Sequence, residues 1–198
     1  RGGSGTGVQT GSLPSWADNG RSRPVIGVAF DGLGLGPDGT AWGGEVLVAD
    51  LTSYERIAHL SQVGQPGGDA ATQQPWRMAL SHLVSAYGDE LPSGLEVVSR
   101  QGPRWGQVRT LLGTSHAPLT SSAGRLFDGV AALLGVRDDI SYEGQAAIEL
   151  ERLAVRGETG TYEVPVGAGV IDTSVLVRAL VDDLQSGGRD HVGDRVER

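Results

Sequence analysis

Residues 25–39 read VIGVAFDGLGLGPDG, an apolar run that ends in an acid and enters a glycine-dense loop. A short continuous apolar run bounded by Gly and Pro predicts a buried strand over 25–31 and then a tight turn. Further along, residues 45–51 (EVLVADL) and 54–63 (YERIAHLSQV) read as two more strands. Only Thr52 and Ser53 separate them, too little chain for a crossover, so an antiparallel hairpin is expected. Three successive strands, the first ending at Asp31-Gly32, form the front edge of a mixed sheet.

Helical periodicity takes over next. In residues 64–88, Trp76, Leu80, Leu83, Val84 and Tyr87 recur at helical spacing. Pro75 suits the first turn and Gly88 the stop. Residues 89–118, broken by Pro92, Pro103 and Pro118, are expected to hold two short helices. TSSAGRLFDGVAALLG (120–135) places Leu126, Phe127, Val130, Ala131 and Leu134 on one face, with Ser121 or Ser122 as cap and Gly135 as stop. A helix over 144–156 is expected to turn Ala147, Ile148, Leu150 and Ala154 inward. Residues 162–166 and 169–171 read as strands. Asp172 then caps a last helix with Leu176, Ala179, Leu180 and Leu184 as its buried stripe, stopped by Gly187-Gly188. Residues 1–23, rich in Gly and Ser, read as a flexible leader, and 189–198 as a loose tail.

Composition bounds the function. A chain of 198 residues, 38% hydrophobic, fits one domain. Its 16 basic residues against 24 acidic ones leave −8, which argues against nonspecific binding to nucleic acid or to a membrane surface. Every basic residue is Arg, which excludes a Walker P-loop and Schiff-base chemistry. The absence of Cys excludes disulfides, thiolate zinc and a cysteine nucleophile, and fits a reducing, cytoplasmic setting. No apolar run reaches the roughly 18 residues of a membrane span. The chain opens at Arg1 with Met78 its only Met and no signal-peptide pattern, so it is expected to be a piece of a longer reading frame.

Three constellations can carry chemistry. Asp31-Gly32, with Gly43-Gly44 across the loop, joins a carboxylate to glycines that can turn backbone N–H groups toward an anion or help hold a metal; a plain glycine hairpin is the alternative. Gly68-Asp69 precedes a helix whose first N–H groups suit an anion, unless Asp69 is simply its cap. Arg125 and Asp128 are expected on the polar face of the 120–135 helix, where Gly124 and Gly129 leave room for a flat ligand. With Glu143-Gly144 opening the next helix and Glu149 on its polar side, they offer acceptors for ribose hydroxyls; a solvated ion pair is the alternative. His59, His82, His116 and His191 have no metal-ligand spacing, and Ser121 has no base partner.

VIGVAFDGLGLGPDGTAWGGEVLVADL, PGGDAATQQPWRMAL, LTSSAGRLFDGVAALLGV and YEGQAAIELERLA, in this order, resemble the HypF family of carbamoyltransferases. The resemblance runs from about Pro24 to Gly187, so 24–188 is expected to be part of the family's transferase domain. It implies an α/β, actin-like ATPase (ribonuclease H-like) fold, a mixed sheet flanked by helices, incomplete here. It also implies an ATP-derived carbamoyl-adenylate whose carbamoyl group passes to the C-terminal cysteine of a HypE-like acceptor in [NiFe] hydrogenase maturation. On matching motifs, Asp31 falls at the family's divalent or ferric metal ion. Gly32, Gly43, Gly44, Gly68 and Asp69 fall along the adenine-nucleotide cleft, and Arg125, Asp128, Gly144 and Glu149 at its adenosine end. The family's VQHHHAH segment has no counterpart, since Val8-Gln9 lead into TGSLPSW, and its C-terminal glycine motif is missing. The metal site is therefore expected to be incomplete and the isolated chain inactive. The alternatives are an inactive partner-binding fragment and an O-carbamoyltransferase of secondary metabolism on the same fold.

Overall fold

The computed structural model describes residues 24–50, 52–154 and 160–186; the leader (1–23), the tail (189–198) and the Gly187-Gly188 stop lie outside them. Among the described residues a seven-stranded mixed sheet is flanked by helices. Strand β1 (Val25–Leu35) pairs antiparallel with β2 (Ala41–Ala49), which pairs antiparallel with β3 (Tyr54–Leu60). Strand β4 (Val63–Gly64) pairs with β5 (Leu119–Thr120), and β6 (Val166–Gly167) with β7 (Val170–Ile171). The parallel pairings β2–β5 and β3–β7 join these pieces into one sheet.

The hairpin between β2 and β3 forms as read, with Asp50 Oδ1 accepting the N–H groups of Thr52 and Ser53 at 2.8 Å. The first strand does not stop at Asp31. It continues to Leu35, with a register irregularity between Phe30 and Gly34 that bulges Asp31 and Gly32 out of the ladder. The tight turn follows instead at Gly36–Thr40, where Gly36 N–H reaches Thr40 O at 2.9 Å. Nor is β1 buried: Ile26, Val28 and Phe30 are 61–71% exposed, and β1 has β2 as its one strand neighbour among the described residues. The strand read over 54–63 breaks after Leu60, and the one read over 162–166 pairs only from Val166.

Helices α1 (Asp69–Gln73), α2 (Pro75–Tyr87), α3 (Glu96–Gln101) and α4 (Pro103–Arg109) follow β4. Pro75 opens α2 and Gly88, at φ 66°, ends it. Helix α2 is buried almost all round: Trp76, Ala79, Leu80 and Leu83 form the main core with Val97 of α3 and Trp105 of α4. Helix α5 (Ala123–Leu133) packs along α2 and also touches β1 and α6 (Gln145–Arg152). Covered on three sides, it leaves Phe127 as its one exposed residue. Arg125 and Asp128, expected outside, are buried, while Phe127, expected inside, is 45% exposed. Helix α6 stops at Arg152 and buries Gln145 and Ala146; Ala147 and Leu150 are half-buried, and Ile148 and Ala154 are exposed. In α7 (Thr173–Gln185) Asp172 caps as read, its Oδ1 accepting Ser174 N–H at 2.9 Å. Its buried positions are Thr173, Val177, Leu180 and Val181, with Leu176, Ala179 and Leu184 half-buried.

Candidate functional site

Helix α5 begins at the bulge of β1. Ser122 is its cap: Oγ accepts Arg125 N–H at 3.2 Å and stands 2.8 and 2.7 Å from the carbonyl oxygens of Asp31 and Gly32, to which its hydroxyl donates. One side chain thus closes the first turn of the helix and ties it to the strand. Gly124 sits against Gly32, where a Cβ would lie 2.8 Å from Gly32 Cα and 3.3 Å from Asp31 O. The glycines read as room for a flat ligand are therefore filled by protein: Gly124 by the β1 backbone, Gly129 by His82 and Ala79 of α2. Gly124→Ala tests this. In an open helix the change stabilises by up to about 1 kcal/mol. Here backbone must move, at about 1–3 kcal/mol, so the expected sign is net destabilisation in a urea titration.

Between the bulge, α5 and the start of α6 lies a cavity of about 310 Å³. Asp31 and Gly32 line one wall, Arg125, Phe127 and Asp128 another, and Glu143 and Gly144 a third. Gly144, at φ 77°, is the left-handed residue that turns the chain into α6.

Asp128 dominates the electrostatics. It is 1% exposed, and burial pushes its carboxyl up to about 6 while Arg125 pulls it back. Arg125 Nη2 stands 2.9 Å from Asp128 Oδ2, an ion pair without hydrogen-bond alignment. Both carboxylate oxygens and Arg125 Nε are buried without a hydrogen-bond partner. Such orphaned acceptors are costly unless something supplies donors. An acceptor-only carboxylate beside a guanidinium, with the half-exposed ring of Phe127 next to it, suits a ligand carrying hydroxyl donors and a flat face.

Of the residues singled out in the sequence, Asp31, Gly32, Gly124, Arg125, Asp128, Glu143 and Gly144 meet at this cavity. The others do not line it. The N–H groups of Gly43 and Gly44 point to Glu45 Oε2, at 2.6 and 2.7 Å, and are occupied. Gly68, rather than Asp69, is the cap of α1, and its N–H bonds Gln65 O. Glu149 forks onto Arg137 at 2.7 and 2.9 Å, and that bond holds its carboxyl below the usual range. Two contributors went unread as site residues: Phe127, expected in the core, and Glu45. The signal for Glu45 was an acid directly after a glycine pair at the head of an apolar strand.

The residues present do not fit a metal ion on their own. Among the described residues no group of three or more His, Cys, Asp or Glu could hold one, and Asp31 Oδ1 already accepts Gly32 N–H at 2.6 Å. His82, in the core of the α2–α5 contact, is held neutral, burial driving its imidazole down to about 4.

The family model described as carbamoyltransferase, Kae1-like domain, second subdomain matches residues 27–195. Carbamoyltransferase HypF2 of Cupriavidus necator is 46% identical over 139 residues, covering 70% of this chain and 17% of that protein. Carbamoyltransferase HypF of Rhizobium leguminosarum bv. viciae is 39% identical over 180 residues, covering 88% of this chain and 23% of that one. The crystal structure of full-length HypF in the phosphate- and nucleotide-bound form aligns at TM-score 0.72 and 37% identity, over 87% of this chain and 23% of that chain. The crystal structure of T. kodakarensis HypF aligns at 0.73 and 32% identity, over 86% and 24%. The chain spans about a fifth of the length of these curated relatives. With its sequence and its fold in agreement over most of its length, the chain belongs to the HypF carbamoyltransferase family.

Proposed function

We propose that the cavity beside Asp128 holds the adenosine end of a carbamoyl-adenylate, and that the chain is the nucleotide-holding part of a HypF-type carbamoyltransferase. The observation that carries this reading is the buried Asp128 carboxylate, ion-paired to Arg125 but without a hydrogen-bond donor, lining a cavity with Arg125, Phe127 and glycine backbone. Ribose hydroxyls supply the two donors that the carboxylate lacks. Phe127 offers its ring to the purine, and Arg125 keeps Asp128 ionised enough to accept. Asp31 and Gly32, on the opposite wall, face the phosphate side.

In the transfer, the acceptor thiol gives up its proton to solvent, a C–S bond forms and the carbamoyl C–O bond to the phosphate breaks, with AMP leaving. This chain's share is to hold AMP; the acceptor is a HypE-like protein with a C-terminal cysteine. The actin-like ATPase (ribonuclease H-like) architecture and a cytoplasmic location belong to the same proposal. No helix among the described residues is long and apolar enough to cross a membrane. Asp31 alone does not make a metal site. The exposed apolar row of β1 favours a second reading, a partner-binding segment.

Titrating the chain with AMP, followed by amide shifts of Gly32, Gly124 and Gly144, tests the first reading. Asp128→Asn is expected to weaken binding by about 10–100-fold, the loss of hydrogen bonds to a charged acceptor. AMP lacking both ribose hydroxyls is expected to lose a similar factor with the parent chain and little more with the variant. Binding is also expected to fall as pH drops through about 6, where Asp128 takes up its proton. Equal affinity of variant and parent for AMP overturns the assignment.

A further inference from the structure

Behind the cavity a second carboxylate, Glu45 of β2, is 2% exposed and fully engaged. Its Oε2 accepts the N–H groups of Gly43 and Gly44; its Oε1 accepts Ser121 Oγ–H at 2.5 Å and Arg56 Nη2–H at 3.2 Å. Arg56 is itself fixed, 3.1 Å from Asp38 Oδ2 and 4.2 Å above the Trp42 ring. Two of these partners, Gly43 and Ser121, adjoin the cavity's frame. Gly43 lies so close behind Asp31 that a Cβ there would stand 2.4 Å from Asp31 O, and 3.1 Å from Ser122 Cα. Ser121 immediately precedes Ser122, the residue that ties the β1 bulge to the first turn of α5.

We infer that Glu45 is a positioning residue for the cavity: it locks the Gly43-Gly44 backbone and Ser121 into the one register in which Ser122 clamps Asp31 and Gly32 to the helix bearing Arg125 and Asp128. The charge is essential to this role, because all four groups facing Glu45 are donors and only a carboxylate accepts from every one. In Glu45→Gln the amide NH2 must face either two glycine N–H groups or the Arg56 guanidinium. Whichever way it turns, one side of the lock opens. The inference rests on the nucleotide reading for its consequence, but not for its geometry.

The test uses the full 198-residue chain, with AMP as probe and amide hydrogen exchange as an independent readout. In Glu45→Gln the AMP dissociation constant is expected to rise about tenfold, and the Arg125 amide, bonded to Ser122 Oγ, to exchange faster. Ser121→Ala, which cuts the link to α5 but leaves the glycine bonds in place, is expected to move both readouts in the same direction and by less. Should Glu45→Gln fail to fold, Ser121→Ala decides. A folded variant with parental AMP affinity and parental Arg125 protection makes Glu45 an ordinary core residue and overturns the inference. If the parent chain binds no AMP, the nucleotide reading fails, and Arg125 exchange alone judges the lock: faster exchange supports it, unchanged exchange overturns it.

Discussion

Replacing Arg125 by methionine is expected to destabilise the chain by about 3–5 kcal/mol at pH 7, and by much less near pH 4. The size follows from burial. Arg125 and Asp128 side chains are 6% and 1% exposed, so removing the cation strands a charge out of reach of water. The pH dependence follows from the sign of the Asp128 shift. Its folded carboxyl is raised from 3.8 to about 6, so the folded state binds the proton more tightly than the unfolded state. Its contribution to stability is therefore most favourable below about pH 4 and declines as pH rises through 6, a loss of about 2–3 kcal/mol in the parent chain. Without Arg125 the carboxyl rises further and the penalty at neutral pH grows. Once protonated, Asp128 has little need of a cation, and the variant recovers. Arg125→Met combined with Asp128→Leu removes both charges and is expected to regain most of the loss. Urea titrations at pH 4.5 and 7.5 measure all three chains. An Arg125→Met variant as stable as its parent at pH 7.5 would show that the pair is not buried.

Trp76→Ala is expected to cost about 3–5 kcal/mol, near the limit of what a marginally stable domain tolerates. Trp76 is fully buried at the meeting point of α2, α3 and α4, its ring 6.3 Å from that of Trp105, with Arg77 and Arg104 at 5.3 and 5.1 Å. Truncation leaves a large hole and takes away the surface on which both guanidinium groups rest. Trp76→Phe is expected to stay within about 1–2 kcal/mol of the parent, because the indole Nε1–H has no hydrogen-bond partner and its loss offsets part of the smaller cavity. Thermal melts of the two variants separate these effects. A Phe variant as damaged as the Ala variant would mean that the indole N–H is satisfied after all.

Much of the fold was legible because its signals are local. Pro75 and Gly88 bracket α2, Asp172 caps α7, and two residues between apolar runs permit only a hairpin. Ser122 was one of two candidates for the α5 cap; Ser121, the other, is held instead by Glu45. The site was half legible. Asp31 with Gly32, and Arg125 with Asp128 and Gly144, were singled out by residue type and spacing, and they converge on one cavity. Gly43-Gly44 and Gly68-Asp69 carried an equally good local signal and stand elsewhere, because glycine also serves where two backbones pass closely. That is what Gly43 and Gly44 do against Asp31 and Ser121.

Residue order alone determined the family, the order of the longer strands and helices, and the Asp31 and Asp128 carboxylates, since those depend on neighbours a few positions apart; the short β4, β5 and α1 went unread as separate elements. Only the tertiary structure decided which side of α5 meets water and that β1 has a single strand neighbour among the described residues. It alone put Glu45 behind the cavity with its bonds complete and Asp128 beside the cavity with its oxygens unpaired. The physical reason is that burial belongs to whatever packs from a distance. A helix covered by α2, α6 and β1 hides its charged residues as readily as its apolar ones, and nothing in the periodicity of TSSAGRLFDGVAALLG records how many neighbours it will have.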